Sequence, residues 1–376
     1  MTDRRFIAVL SVALVVVTAC SGPSAAALSS AGSASPGPSA ADSSPVAGGS
    51  IGPAGCVVGV SWYDLRGERW AKWDEPALHA AVVSAGATYM KADATSSAAQ
   101  QTSDIESLIS RGARVLIVVA QDGTAVKPAV ADAIKRGVQV IAYDRLIDDP
   151  KTLYVSFDNV EVGRMQARAV LAAKPVGNYA FIKGDRGDAN SDFLRAGQEE
   201  IIGPALKSGV ITNVAETYTD NWDPTAARTT IAQLLTDSGG KVDAVLAEND
   251  GLADGVINAL ADHGLAGKVA VSGEDGDGRG LNNVALGTQL VDVWKDERML
   301  AKAAGDAAVQ LCDGVAVDRV GGVSPFATPA GITLSSIQLK PDPITSAGLQ
   351  RVVDAGWITV ADLCQGVVPG SQPICP

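Results

Sequence analysis

The sequence has 376 residues, a formal net charge of −12 and 47% hydrophobic residues. A chain of this length exceeds one typical hydrophobic core and predicts about two domains. The acidic balance provides no basic footprint for nucleic acid or for electrostatic docking on anionic lipid, so we expect neither partner.

The first twenty residues predict a secretory signal rather than part of the fold. Arg4 and Arg5 precede an apolar run, 6–17, that is too short to span a bilayer comfortably. Residues 17–20, Val-Thr-Ala-Cys, resemble the lipobox of bacterial lipoproteins. We therefore expect cleavage before Cys20 and a lipid on its thiol, which would be the protein's only link to the membrane. The alternative is an ordinary signal peptide with an incidental cysteine.

Residues 21–53 consist mainly of Ser, Ala, Gly and Pro. Such a segment buries too little apolar surface to offset the entropy of ordering it, and it predicts a disordered tether. No later stretch has the length and hydrophobicity of a transmembrane helix. We expect the folded part to lie outside the cytoplasm, held to the cell membrane by its lipid.

Four cysteines follow Cys20, and an even number in an exported chain favours disulfides. Cys364 and Cys375 lie close together in a Gly/Pro-rich tail and are predicted to pair. Cys56 and Cys312 would then form the remaining pair. The absence of a CxxC spacing argues against a metal knuckle or a redox motif.

From about residue 56, short β-branched runs alternate with longer helical patterns. Continuous apolar runs indicate strands buried on both faces, as in a parallel sheet covered by helices. Two rounds of this alternation predict two doubly wound α/β lobes whose strand ends face a shared cleft. The candidate strands are 57–61, 114–120, 138–143, 153–157, 179–183, 242–247, 269–272 and 288–294.

Polar and aromatic residues recur directly after these strands, where a cleft site requires them. Carboxylates, amides and guanidinium groups offer paired hydrogen-bonding points that suit adjacent hydroxyls. Tryptophan offers a flat apolar face for the C–H bonds of a sugar ring. Because acids and bases are mixed, the pattern favours a neutral polyol over an anion.

Several motifs in order resemble the periplasmic sugar-binding proteins of ABC importers, and most of all their xylose-binding subfamily. The resemblance covers about 57–341. Its most specific pieces are 65–70 (LRGERW), 141–147 (IAYDRLI), 156–159 (SFDN) with Val162-Gly163, 194–197 (LRAG), 241–245 (KVDAV) and 271–275 (VSGED).

The resemblance implies a type I periplasmic binding protein with a three-segment hinge. The first lobe is predicted at 54–147 and 288–325, and the second at 148–287 and 326–376. We place the crossings near Asp148, Gly287 and Phe326. The implied activity is capture of an aldose and its delivery to an ABC permease, by a monomer without a cofactor or a bound metal. A sugar sensor acting on a chemoreceptor or kinase differs only in its partner.

The resemblance also implies a set of ligand-binding residues. A bidentate donor and one stacking face come from the first lobe, the second lobe adds an amide and the other stacking face, and a polar ring completes the site. The chain departs from the family at two positions that bear on which sugar binds. Where the family often has two consecutive Asn, this chain has Ala189-Asn190, and where the family often has Gln, it has Glu274. The predicted ligand-binding residues are Arg69, Trp70, Asp144, Arg145, Asn190, Trp222, Asn249, Asp250, Asp275 and Lys295.

Six of these residues also have a purely structural interpretation. Asp144 and Arg145 could form a local ion pair, Trp70 and Trp222 could pack beneath their loops, Asp275 could cap a helix, and Lys295 could be a solvated charge. Asp275 and Asp277 faintly resemble a calcium loop, but Leu286 occupies the position where an EF-hand needs Glu.

Enzyme classes find little support in the sequence. The two histidines, His79 and His263, fall in helical patterns, and no nucleophile elbow, zinc motif or phosphate loop is present. Asp144 and Asp275 could in principle flank a glycosidic bond, but basic neighbours would keep both ionised and leave no general acid. Regulators that share this lobe architecture need an N-terminal helix-turn-helix, and an export signal stands in that place here.

Overall fold

The computed structural model describes residues 55–376, so the predicted signal, Cys20 and the tether 21–53 lie outside the described residues. The strands, in chain order, are β1 (Val57–Trp62), β2 (Thr88–Asp93), β3 (Val115–Val118), β4 (Gln139–Tyr143), β5 (Leu153–Phe157), β6 (Gly177–Lys183), β7 (Ile211–Tyr218), β8 (Ala244–Ala247), β9 (Ala270–Asp275), β10 (Val291–Trp294), β11 (Ser324–Ala327), β12 (Thr333–Leu339) and β13 (Asp342–Ile344). The helices are α1 (Glu75–Ser84), α2 (Ala98–Ser110), α3 (Lys127–Lys135), α4 (Asn159–Ala173), α5 (Ala189–Ser208), α6 (Pro224–Ser238), α7 (Asp250–Asp262), α8 (Gly278–Leu286), α9 (Glu297–Cys312), α10 (Leu349–Asp354) and α11 (Val360–Leu363).

The first lobe is built on a seven-stranded sheet with the order β11-β12-β5-β4-β3-β1-β2. All neighbours are parallel except β11, which pairs antiparallel with β12. The central strand β3 is buried along its whole length, as its unbroken VLIV sequence predicts. Separate apolar cores, one containing α1 and α9 and the other α2 and α3, pack around this sheet.

The second lobe is built on a six-stranded sheet with the order β13-β10-β9-β8-β6-β7. Its strands are parallel except β13, which runs antiparallel beside β10. Helices α6 and α7 contribute to one apolar core, and α4 and α5 contribute to another. The two sheets with their helices confirm the predicted fold of two doubly wound α/β lobes.

The lobe boundaries differ from those predicted, since each crossing comes about one strand later. β5 pairs with β4 and therefore belongs to the first lobe, although 148–287 was assigned to the second. β10 pairs with β9 and belongs to the second lobe, although 288–325 was assigned to the first. β12 pairs with β5 and belongs to the first lobe, although 326–376 was assigned to the second. The chain therefore crosses after Phe157, Trp294 and Leu339, because strand pairing, which periodicity does not reveal, decides lobe membership.

The cysteines are joined as the sequence favoured, Cys56 to Cys312 and Cys364 to Cys375. The first disulfide ties the start of β1 to the end of α9 within the first lobe. The second closes a short loop near the carboxyl end of the chain. Among residues 55–376, no helix combines the length and the apolar character needed to cross a membrane.

The two lobes touch across the mouth of the cleft. Gln121 Nε2 of the first lobe donates to Asn221 Oδ1 of the second at 3.0 Å. The Gly123 backbone N–H donates to the Gly187 carbonyl, also at 3.0 Å. The structure therefore shows the lobes brought together over the cleft.

Candidate functional site

A cavity of about 810 Å³ lies between the lobes, at the carboxyl ends of the parallel strands. This is where ligands bind in open α/β sheets. Loops after β1, β2 and β4 form its first-lobe wall, and loops after β6 to β10 form its second-lobe wall. Of the ten predicted residues, nine line this cavity: Arg69, Trp70, Asp144, Arg145, Asn190, Trp222, Asn249, Asp275 and Lys295.

Arg69 is the centre of a buried charge cluster that spans both lobes. Its Nη2 lies 2.9 Å from Asp144 Oδ2 in the first lobe, and its Nη1 lies 2.9 Å from Asp275 Oδ1 in the second. Its Nε is 3.2 Å from Asp74 and 3.6 Å from Glu297. All three guanidinium nitrogens therefore face carboxylates, so the side chain is fixed between the two lobes.

The electrostatic balance of this cluster differs from one carboxyl to the next. Burial would raise the pKa of Asp144, but Arg69, Lys295 and Arg145 outweigh it and hold that pKa below its ordinary value. Burial dominates for Asp74 and raises its pKa to about 6. Asp144 is therefore the ionised acceptor facing the cavity, while Asp74 supports Arg69 from beneath.

Arg145 joins the lobes at a second point. Its Nε lies 2.9 Å from Asp188 Oδ2, an ion pair whose angle does not meet hydrogen-bond geometry. Its Nη1 donates to the Ala120 carbonyl at 3.0 Å, and its guanidinium lies 3.7 Å from the centre of the Tyr63 ring. Arg145 is thus fixed by charge, a hydrogen bond and an aromatic face together.

Asn190 and Lys295 bring second-lobe groups to the floor of the cavity. Asn190 Nδ2 lies 3.3 Å from Asp144 Oδ1, and Asn190 Oδ1 accepts from Asn159 at 2.9 Å. Lys295 Nζ lies 2.9 Å from Glu274 Oε2 and 3.8 Å from Asp275. Burial raises the pKa of Glu274 to about 8 against the opposing pull of Lys295.

One tryptophan reaches the cavity from each lobe. Trp70 packs edge-on against Tyr63, with ring centres 5.4 Å apart, and Arg69 lies 4.1 Å over its ring. Trp222 follows β7 and lies directly on the backbone of Gly184, where an added Cβ would be 2.1 Å from Trp222 Cζ2. A glycine is therefore required at 184 for Trp222 to hold this position.

Asp250 is the predicted residue that does not line the cavity. It is the first residue of α7, and its carboxylate turns into the second lobe, where it accepts from Gln289 Nε2 at 2.8 Å and from the Asp277 N–H at 2.9 Å. Its neighbour Asn249 caps α7 by accepting from the Leu252 N–H and does line the cavity. The structure therefore does not place Asp250 with the other predicted ligand-binding residues, because the helix turn directs the adjacent side chains of Asn249 and Asp250 to opposite sides.

The comparisons with known proteins agree with this architecture. Residues 58–316 match the family model described as periplasmic binding protein domain. The chain is 39% identical over 258 residues to the D-xylose-binding periplasmic protein of Escherichia coli (strain K12), covering 68% of this chain and 78% of that one. It belongs to the periplasmic binding protein family. This confirms the resemblance noted in the sequence.

Solved structures of solute-binding proteins share the fold of this periplasmic binding protein. An ABC transporter solute-binding protein from Clostridium phytofermentans with bound β-D-glucose superposes with a TM-score of 0.74 at 27% identity, covering 82% of this chain and 99% of that one. A carbohydrate transporter solute-binding protein from Chloroflexus aurantiacus, in complex with D-glucose, gives the same TM-score at 25% identity, covering 82% and 98%.

Several cavity residues of this periplasmic binding protein were not among the predicted ones. Asp188 caps α5 and forms an ion pair with Arg145. Its position in the turn after β6, two residues before Asn190, could have identified it as a cavity residue from the sequence. Glu274 was noted only as a departure from the family. Tyr63 could have been predicted from its place directly after β1, whereas Glu68 and Asn221 lie in short helical turns that no regular spacing in the sequence indicates.

Strained backbone is concentrated at the site. Six non-glycine residues in the described chain have positive φ, and all but Thr95 line the cavity: Ser96, Asp144, Asn221, Trp222 and Asp275. Such conformations cost free energy and persist only where the surrounding contacts impose them. The strain therefore marks side chains that are aimed into the cavity by their surroundings.

The charges that line the cavity argue against an anionic ligand. Nine acidic and four basic residues line it. Each of the four cations, Arg66, Arg69, Arg145 and Lys295, already has a carboxylate partner. A ligand carboxylate or phosphate would find no free cation and would face an excess of negative charge.

Proposed function

We propose that this protein captures an uncharged monosaccharide, a xylose-like aldose, between its two lobes and delivers it to the permease of an ABC importer. The observation that carries the proposal is the composition of the cavity: one indole from each lobe and a set of paired charges with free acceptor and donor capacity. Indole faces suit the C–H surfaces of a sugar ring. Paired carboxylates and guanidinium groups suit hydroxyls, which both donate and accept.

The relatives support the choice of ligand class. The D-xylose-binding periplasmic protein named above is one of two D-xylose-binding relatives at 38–39% identity. The two solved structures named above hold glucose. An uncharged pyranose is consistent with the ligands that these relatives are named for and with the paired charges of the cavity.

The proposed mechanism is binding followed by lobe closure. The sugar would first contact Trp70, Asp144 and Arg145 on the first lobe. Asn190, Trp222 and Asp275 of the second lobe would then complete the site as the lobes rotate together. Periplasmic binding proteins are a standard example of such hinge closure. Closure follows sugar binding because the closed state offers contacts to the sugar that the open state lacks.

We further propose that Cys20 carries a lipid that holds the protein on the outer face of the cell membrane, where the permease can read the closed surface. The motif before Cys20 and the composition of 21–53 support this arrangement. Replacing Cys20 with Ala should release the protein into the medium. Metabolic labelling with a fatty acid that fails to mark the native protein would contradict the proposal.

Calorimetric titration of the purified protein against neutral aldoses tests the ligand class directly. Xylose, glucose, arabinose, galactose and ribose form the panel, and glucuronate serves as the charged control. We expect saturable binding of one or two neutral aldoses and no binding of glucuronate. A panel without any binding would refute the sugar proposal, and tight glucuronate binding would refute the argument from paired charges.

A further inference from the structure

Asp275 presents its carboxylate to the cavity from an unfavourable backbone conformation. Its φ is 95°, and the next residue, Gly276, has a φ of 80°. A positive φ of this size is rare for a residue with a Cβ and is held only by its surroundings. The position of the Asp275 carboxylate, 2.9 Å from Arg69, therefore depends on what fixes this turn.

Two hydrogen bonds fix the peptide groups of Gly276. Its N–H donates to Asp292 Oδ1 at 3.0 Å, and its carbonyl accepts from the indole Nε1 of Trp357 at 2.6 Å. The Trp294 ring closes the third side, since a Cβ on Gly276 would lie 2.4 Å from Trp294 Cδ1. The turn after Asp275 is thus clamped from three directions.

Trp357 also contacts the other lobe. Its ring stacks on Trp73 of the first lobe, with centres 4.0 Å apart and planes 16° from parallel. Trp73 lies in the short helical turn Trp70–Asp74, which also carries the cavity residue Trp70. One buried indole therefore touches the supports of both walls of the cavity. It lies outside the residues 58–316 that match the family model.

We propose that Trp357 is a positioning residue of the ligand site. Its indole N–H fixes the Gly276 carbonyl and so aims the Asp275 carboxylate, while its ring holds the turn of Trp70 against the second lobe. The inference rests on the proposed function to the extent that Asp275 contacts the sugar. Trp357 itself does not line the cavity.

The first test removes the indole N–H and keeps most of the ring. Trp357→Phe should weaken D-xylose binding about tenfold, because the Gly276 carbonyl loses its buried donor. Trp294→Phe is the matched control: it shrinks a ring of the same cluster by the same amount and keeps an aromatic ring against Gly276, but the Nε1 that it removes has no hydrogen-bond partner among the described residues. The control should change affinity less than about twofold. Equal effects of the two substitutions would overturn the proposal.

The stacking contribution is tested separately with Trp73→Leu, which leaves the Trp357 N–H bond in place. We expect a smaller loss of D-xylose affinity, about threefold, since aromatic pairs contribute modestly beyond their buried area. Circular-dichroism melts of all variants establish that each is folded. If Trp73→Leu weakens binding more than Trp357→Phe, the assignment of the main role to the N–H is wrong.

A double-mutant cycle without sugar separates this inference from the proposed function. Urea unfolding of the native protein, Trp357→Phe, Asp275→Asn and the double variant measures whether the two residues act through each other. Coupling is expected, because Trp357 holds Asp275 against Arg69, and the double variant should lose less stability than the sum of the single losses. Additive losses would overturn the inference, even if sugar binds. If Trp357 and Asp275 are coupled but the protein binds no sugar, the positioning role of Trp357 stands and only the proposed function is refuted.

Discussion

Trp222 reaches the cavity because of an unusual backbone conformation and a close contact with a glycine. Its φ is 55°, as is that of Asn221, and its ring rests on the bare backbone of Gly184. A turn built only for packing would not need two consecutive positive φ values at non-glycine residues. We therefore expect Trp222→Ala to weaken aldose binding by more than about tenfold, which corresponds to roughly 1.4 kcal/mol. Calorimetry measures the change.

The control for Trp222 is Trp222→Phe, which keeps an aromatic face for the sugar ring. It should retain most of the affinity lost by the Ala variant. Both variants should melt close to the native protein, because Trp222 is only half-buried at the edge of its lobe. An Ala variant with native affinity would show that Trp222 staples its turn and does not contact ligand.

Asp250 and Asp292 form a buried carboxyl pair beneath the second-lobe wall. Burial raises the pKa of Asp292 to about 7 from its ordinary 3.8, and burial with Asp292 nearby raises that of Asp250 well above its ordinary value. A group whose pKa is raised on folding binds more protons in the folded state. The stability it contributes is present below pH 4 and is lost as the pH rises through about 7.

The protein should therefore melt at a lower temperature at pH 8.5 than at pH 5.5, and Asp292→Asn should reduce that difference. The new amide keeps an oxygen for the Gly276 N–H and can place a donor toward Asp250. Differential scanning calorimetry over this pH range provides the measurement. Asp318→Asn, at an exposed position, should follow the native pH profile. A native-like slope in Asp292→Asn would contradict the pairing.

Some residues of the cavity could be predicted from the sequence, and others could not. Residues directly after strands, such as Asp144 and Lys295, were predicted because strand ends meet at the cleft. Asp250 lies outside the cavity, whereas Asp188, which was not predicted, lines it, although both stand at helix N-termini close to predicted residues that line the cavity. Which of two adjacent side chains faces the cavity depends on the helix turn, and that orientation has no signature in the sequence.

Helices α4 and α5 cross through a pair of glycines. A Cβ on Gly163 would lie 2.0 Å from the Leu194 carbonyl, and a Cβ on Gly197 would lie 2.0 Å from the Val160 carbonyl. These glycines fall in motifs 162–163 and 194–197, which carried the family resemblance in the sequence. The motifs therefore encode the close approach of two helices.

Gly163→Ala should destabilise the protein by about 2 kcal/mol or more, because backbone cannot move away from the added methyl group. In an unpacked helix the same change would stabilise by roughly 1 kcal/mol. Gly203→Ala in α5 is the matched control, since its Cβ would meet only the flexible Glu199 side chain. Urea midpoints measure both variants. If the two glycines respond alike, the crossing is not as tight as the structure indicates.

The strands divide into those the sequence predicts and those it does not. Central strands such as β3 and β8 are buried throughout and stand out as apolar runs. The edge strands β2 and β7 were missed because they are largely half-buried or exposed and carry mixed residues. Strand pairing is equally invisible to periodicity, which is why β5, β10 and β12 were assigned to the wrong lobes.

The path of the chain determines how the molecule is held together. Because the chain crosses between the lobes three times, neither lobe is a continuous segment, and the first lobe closes only when α9 and β12 return to it. The Cys56–Cys312 disulfide joins the first strand to the end of α9 across 256 residues that include nearly all of the second lobe's sheet. It therefore constrains the unfolded chain far more than the tail disulfide, which spans 11 residues.

In the loop-entropy model, removing the Cys56–Cys312 disulfide costs about 5.5 kcal/mol, whereas removing Cys364–Cys375 costs about 3 kcal/mol. We therefore expect the Cys56→Ala/Cys312→Ala variant to unfold at a lower urea concentration than the Cys364→Ala/Cys375→Ala variant. The Cys364→Ala/Cys375→Ala variant opens only a short loop, so its loss of stability should be the smaller one. Its bridge lies in the same carboxyl-terminal segment as Trp357, however, so its loss of sugar affinity should be the larger one. A reversed order of stability would show that native-state contacts, rather than restriction of the unfolded chain, dominate the contribution of these bridges.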